Sequence, residues 1–199
     1  MEGSGASSSW KPANPAPLGL AGFALTTFVL SMINANWVSG ADTPVVLGLA
    51  VAYGGLAQLL AGMWEFRVGN TFGAVAFSSY GAFWISYYVF GHFVAGSIPK
   101  ADVADAVGVF LLGWTILTFY LLIASLRVSG AVAAVFLALT ITFVLLTIGN
   151  FEGKSGILHA GGWVGVVTAA LAFYASAAGV INETFKKPIL PVFPLAPRS

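Results

Sequence analysis

Six runs of mostly apolar residues, each near the ~20 residues a helix needs to cross a bilayer, constrain this chain most. They lie at 15–38, 44–64, 71–93, 103–126, 130–149 and 155–182, separated by short polar connections. Every Asp, Glu, Lys and Arg falls in a connection, in a tail or within a turn of a predicted helix end. Only 8% of the 199 residues are charged and 58% are hydrophobic. An ordinary soluble domain has about 25% charged residues, so the surface implied here belongs in hydrocarbon. The expected fold class is all-α, an integral membrane bundle of six transmembrane helices.

Helix signals set the ends. Asn14 can cap the first span, with Pro15 and Pro17 in the first turn, where a missing N–H costs nothing. Asp42 or Thr43 opens the second span and Asn70 the third. Short loops imply that sequential helices are antiparallel neighbours. Residues 1–13 read as a disordered N-terminal tail, 14–187 as the transmembrane domain and 188–199 as a Pro-rich C-terminal tail. The prolines at 188, 191, 194 and 197 forbid a continuing helix.

Lys and Arg are unevenly divided between the two ends of the predicted bundle. Lys11, Arg67, Arg127, Lys186, Lys187 and Arg198 fall on one side, against Lys100 and Lys154 on the other. The first side is expected to be cytoplasmic, with both termini inside. The protein is expected to be multi-pass in the cell (plasma or inner) membrane. A net charge of +1 and the lack of a basic patch give nucleic acid no foothold. With no Cys, no His cluster and no convergent carboxylates, neither a metal site nor an enzyme is expected, and no cofactor is implied. No Lys lies mid-span to form a retinal Schiff base.

Function must then rest on hydroxyls, amides and aromatics inside the spans. Phe23, Thr27, Leu30 and Asn34 recur at helical spacing and form one stripe that should face the protein interior. The stripe reads either as a pore lining or as interhelical hydrogen-bonding glue. Gly54, Gln58 and Gly62 repeat at four-residue spacing. The glycines allow close helix approach, and Gln58 can bond across a contact or hold a carboxylate. Tyr80, Trp84 and Tyr88 form an aromatic stripe in which Tyr80 lies deep enough to need a hydroxyl partner. Glu65 and Arg67 end the second span and read as solvated interface residues. His92 and His159 lie near span ends, and His92 reads as a bland surface residue. Gly69–Gly73 and Gly161–Gly165 fit the GxxxG pattern of tight packing.

The segment from Asn14 through Pro15-Ala16-Pro17-Leu18-Gly19-Leu20 to Ala21-Gly22-Phe23 resembles the N-terminal signature of the acetate/succinate transporter family. This family includes bacterial succinate–acetate permeases and fungal acetate/ammonium-export-related proteins. Further matching stretches follow in order: Tyr53 to Gln58, Gly69 to Gly73, Ser79 to Trp84, Ile148-Gly149-Asn150, His159 to Trp163, and Asn182-Glu183. The resemblance covers nearly the whole chain outside the tails. Where the family commonly has a large residue after the histidine, this chain has Ala160 and then Gly161.

That resemblance implies a channel or proton-coupled transporter for acetate and related small carboxylates such as succinate, assembled as a homohexamer in membrane lipid. It maps a hydrophobic constriction onto Phe23, Tyr80 and Leu139, and a size-setting small residue onto Ala172. Asn14, Asn150, His159 and Trp163 stand in the matched motifs and join Thr27, Asn34 and Gln58 as polar candidates along the pathway. Glu65 and Glu183 are the candidates for proton or ion residues at its mouths. The alternative is a urea or amide channel, which can share six helices.

Overall fold

The computed structural model describes Trp10 and residues 12–195. Most of the expected 1–13 tail, with Lys11, and the end of the C-terminal tail, with Arg198, lie outside the described residues. The described chain is helical: α1 (Ala16–Asn34), α2 (Thr43–Val51), α3 (Gln58–Val68), α4 (Thr71–Val89), α5 (Val103–Ser125), α6 (Gly130–Phe151) and α7 (Ser155–Phe185). A π-helical turn, Ala52–Ala57, joins α2 and α3 into one rod, so there are six rods. No strand forms among the described residues, only an isolated bridge between Ser129 and Pro194.

Five helical segments are long and apolar enough to cross a membrane: Ala16–Asn34, Gly40–Val68, Val103–Ser125, Gly130–Phe151 and Ser155–Phe185. The remaining rod, α4, has 19 residues but carries Ser78, Ser79, Ser86 and three tyrosines. Large apolar side chains point outward. On α5, Val109, Ile116, Phe119 and Ile123 are each more than half exposed, as suits a hydrocarbon surround.

Local chemistry explains the helix ends. Asn70 Oδ1 accepts the Gly73 N–H at 3.1 Å and opens α4, and Ser129 Oγ accepts from Val132 N to open α6. Gly69 stops α3 in the left-handed region, φ 78°, which a side chain would resist. Gly69 and Gly73 therefore lie on two different elements, and their spacing is not a helix-packing motif. Gly161 is such a contact: its missing Cβ admits the Leu146 side chain from α6. Asn14 Oδ1 accepts from Ala16 N at 3.0 Å, bracing the start of α1.

α7 packs along α1 and α6, α6 along α5, and α3 along α4. Sequential neighbours thus account for three of the main pairings, while α1 closes the bundle against α7 at the far end of the sequence. α4 and α5 stand further apart at the backbone and meet through aromatic side chains, Phe83 against Phe110 and Trp114. Several ends differ from the sequence expectation. α1 stops at Asn34 instead of running to residue 38, because Asn36 turns left-handed, φ 57°. Beyond Val89, the third rod loosens into a π turn, Phe90–Val94, and a 3-10 turn, Ala95–Ser97. The segment after α7 folds back on the bundle. Gly130 N and Ala131 N donate to Phe193 O and Val192 O, while Asn182 Oδ1 accepts from Ile189 N and Leu190 N.

Candidate functional site

A cavity of about 460 Å³ opens at the end of the bundle where α1 finishes and α7 begins. One wall is the stripe of α1: Phe23, Thr27, Leu30 and Asn34 all line it, with Ser31. α4 supplies Phe83, Trp84 and Tyr87. α6 supplies Leu139, Thr142, Phe143 and Asn150, and His159 of α7 stands near the mouth. No Asp, Glu, Lys or Arg is among the lining residues.

The depth is apolar. Phe23 of α1 and Leu139 of α6 are 5% and 3% exposed and both line it. Beside Phe23 stands Tyr80, 2% exposed, with ring centroids 5.6 Å apart, although Tyr80 does not itself line the cavity. The Tyr80 ring also meets Phe136 at 6.1 Å and Trp114 at 6.4 Å. Its hydroxyl meets Thr118 Oγ1 of α5 at 2.8 Å, which supplies the partner that its depth demands.

Polar atoms are set into this apolar wall. Thr27 and Trp84 are lining residues, and Thr27 Oγ1 and Trp84 Nε1 are buried with no hydrogen-bond partner among the described residues. A buried polar atom is normally satisfied, so these two groups, one a donor and one able to donate or accept, are unusual in being unused. Thr142 Oγ1 lies 3.2 Å from Thr168 Oγ1 and also donates to Ala138 O at 2.9 Å. Asn150 Nδ2 donates to Leu146 O at 2.8 Å. The arrangement can hold a small molecule with an apolar body and a few hydrogen-bonding atoms, without a fixed charge to trap it.

Other candidates lie elsewhere. Ala172 is fully buried in the core but does not line the cavity. Asn14 and Glu183 are exposed at the opposite end of the bundle. Trp163 is 49% exposed and its ring lies 5.1 Å from that of Trp37. It does not line the cavity: Gly161, Gly162 and Gly165 form the inward face of α7, so position 163 points outward. Gln58 is fully buried off the cavity, with neither amide atom partnered among the described residues, close to Gly22 of α1.

Glu65 is also corrected. It is not solvated: it is 1% exposed, because the start of α4 folds over it. Asn70 Nδ2 donates to its Oε2 at 2.8 Å, while Oε1 has no partner among the described residues. Arg67 does point outward, 5.9 Å over the Trp10 ring. Sequence reasoning missed Thr118, Thr142 and Phe83. Threonines inside an apolar run give no sign of which face they occupy. Trp84 was visible as part of the aromatic stripe, though not as a cavity-lining residue.

Known proteins place this architecture. Residues 3–197 match the model of the GPR1/FUN34/yaaH family. The Ammonia transport outward protein 2 of Saccharomyces cerevisiae is 47% identical over 179 residues, covering 87% of this chain and 63% of the yeast protein. The chain thus spans less than two thirds of that relative. The Succinate-acetate/proton symporter SatP of Escherichia coli K12 is 38% identical over 182 residues, covering 92% of this chain and 96% of SatP. Acetate permease A of Emericella nidulans is 43% identical over 204 residues, covering 94% of this chain and 68% of the permease. The solved structure of the bacterial acetate channel SatP superposes with a TM-score of 0.86 at 38% identity, over 92% of this chain and 99% of that one. A family match across nearly the whole length, with relatives above 30% identity, means that this chain belongs to the GPR1/FUN34/yaaH family.

Proposed function

We propose that this chain is a multi-pass transport protein of the cell membrane that passes acetate and related small carboxylates such as succinate. The observation that carries the reading is the cavity: lined mostly by apolar side chains, Phe23 and Leu139 included, with Thr27, Asn34, Thr142 and Asn150 among them and no charged side chain among its described lining residues. Conduction needs binding weak enough to release. A Lys or Arg in the path would hold a carboxylate too firmly, whereas hydroxyl and amide donors hold it lightly. Family membership and the relatives named as acetate carriers support the same substrate class.

Phe23, Tyr80 and Leu139 form the sieve, with Ala172 as the small residue behind it. Thr27, Asn34, Asn150 and His159 supply polar contacts on the open side. Asn14 and Glu183 mark the opposite mouth. Gln58 and Glu65 lie on a buried face of α3 beside this route. All six rods cross the membrane, both termini are cytoplasmic, and six copies assemble. The bias of Lys and Arg supports the orientation, and the outward apolar faces suit lipid or neighbouring copies. Uptake of labelled acetate by cells expressing the chain tests the substrate class. Competition by acetate and succinate is expected; competition by urea without acetate would replace this reading with a urea channel.

A further inference from the structure

Thr118 of α5 is fully buried, and its hydroxyl lies 2.8 Å from that of Tyr80. A threonine hydroxyl has one proton to give. Thr118 gives it to the Trp114 carbonyl, one turn back on its own helix, at 2.7 Å. The proton in the interhelical bond therefore belongs to Tyr80, and Thr118 accepts it. Tyr80 is thus left with no donor to offer a guest, and what it presents to Phe23 is an aromatic ring. The bond joins α4 to α5 within an interface otherwise made by aromatic rings, Tyr80 and Phe83 against Trp114.

We infer that Thr118 is a positioning residue for the sieve. By accepting the Tyr80 proton, it holds the ring against Phe23 and keeps a hydrogen-bond donor out of the carboxylate's path. This inference rests on the acetate reading above. Its consequence concerns selectivity of binding as well as rate. A phenol donor at the narrowest point would make a charge-assisted bond to a carboxylate, tightening binding and slowing release.

The test is acetate flux in proteoliposomes, read as half-saturation concentration and maximal rate separately. Thr118→Val keeps the shape and removes the acceptor. Tyr80 then needs a new partner, and a hydrogen bond to a charged group corresponds to about a tenfold change or more. Half-saturation and maximal rate are each expected to fall by about tenfold or more, and Thr118→Ser restores both. Thr118→Ala removes the acceptor with less bulk and should repeat the effect if the valine variant fails to fold. In a Tyr80→Phe background, Thr118→Val should change nothing further, because no proton is left to place. A half-saturation that stays fixed or rises in Thr118→Val, or an equal effect in the Tyr80→Phe background, overturns the inference. A wild-type protein with no acetate flux overturns the transport reading itself.

Discussion

Replacing Gly22 with alanine tests the α1 packing on which the sieve depends. The added Cβ would stand 2.6 Å from the Tyr53 carbonyl oxygen, part of the π turn that joins α2 to α3. That neighbour is backbone and cannot swing aside as a side chain can. Ordinary van der Waals contact begins near 3.4 Å, so α1 and the π turn must part by about 0.8 Å. Forcing a methylene this close to backbone costs about 2–3 kcal/mol, the upper part of the usual range, and the better helix propensity of alanine returns about 1 kcal/mol. A net loss of about 1–2 kcal/mol in a chain of this size lowers the melting temperature by about 2–8 °C. The assay is tryptophan fluorescence of the purified protein in detergent as it is heated. Phe23, the next residue, shifts with the backbone, so competition of acetate uptake by succinate should change as well. Gly113→Ala on α5 is the control, since a Cβ there meets nothing within 4 Å. It should raise stability by about 0.5–1 kcal/mol through helix propensity alone. Equal melting of the Gly22→Ala variant and wild type would refute the packing argument.

Other perturbations probe separate parts of the structure. Tyr80→Ala removes the ring beside Phe23, and acids larger than acetate should then compete several-fold better for uptake; an unchanged size series would dismiss Tyr80 from the sieve. Asn182→Ala removes both acceptor contacts to Ile189 and Leu190 N–H and the donor to Leu190 O, at roughly 1 kcal/mol each. The C-terminal segment should become accessible to limited proteolysis, and an unaltered cleavage pattern would count against the clasp. Asn70→Ala takes away the cap of α4 and the carboxylate's one hydrogen-bond partner among the described residues, at Glu65, so a loss of about 2–3 kcal/mol is expected in thermal melts. A melting temperature within a degree of wild type would show that neither bond matters.

Much of the bundle was legible because apolar length and charge exclusion act locally. Asn70 was readable as a cap because an Asn directly before a helical run satisfies orphan N–H groups. The α1 stripe was readable because Phe23, Thr27, Leu30 and Asn34 keep helical spacing and the helix is regular. The π turn at Ala52–Ala57 was not, since Tyr53-Gly54-Gly55 fits an α-helix equally well and the extra residue per turn is set by how α1 and α4 press on it. The end of α1 was overrun because Trp37 and Val38 are apolar yet lie past the left-handed Asn36. Glu65 looked solvated because it sits near a helix end. Its burial comes from the fold of α4 across it, a tertiary fact with no local signature. Trp163 stood in a matched motif, but the glycines beside it turn it outward. Thr118 carried no signal because its role depends on a tyrosine 38 residues away.

Labelled acetate flux into proteoliposomes holding the purified protein, with and without an imposed proton gradient, tests the acetate proposal most directly. Flux well above that of protein-free vesicles, competed by unlabelled acetate and slowed when Phe23, Tyr80 or Leu139 is altered, is the expected result. Flux equal to that of protein-free vesicles under both conditions would contradict it.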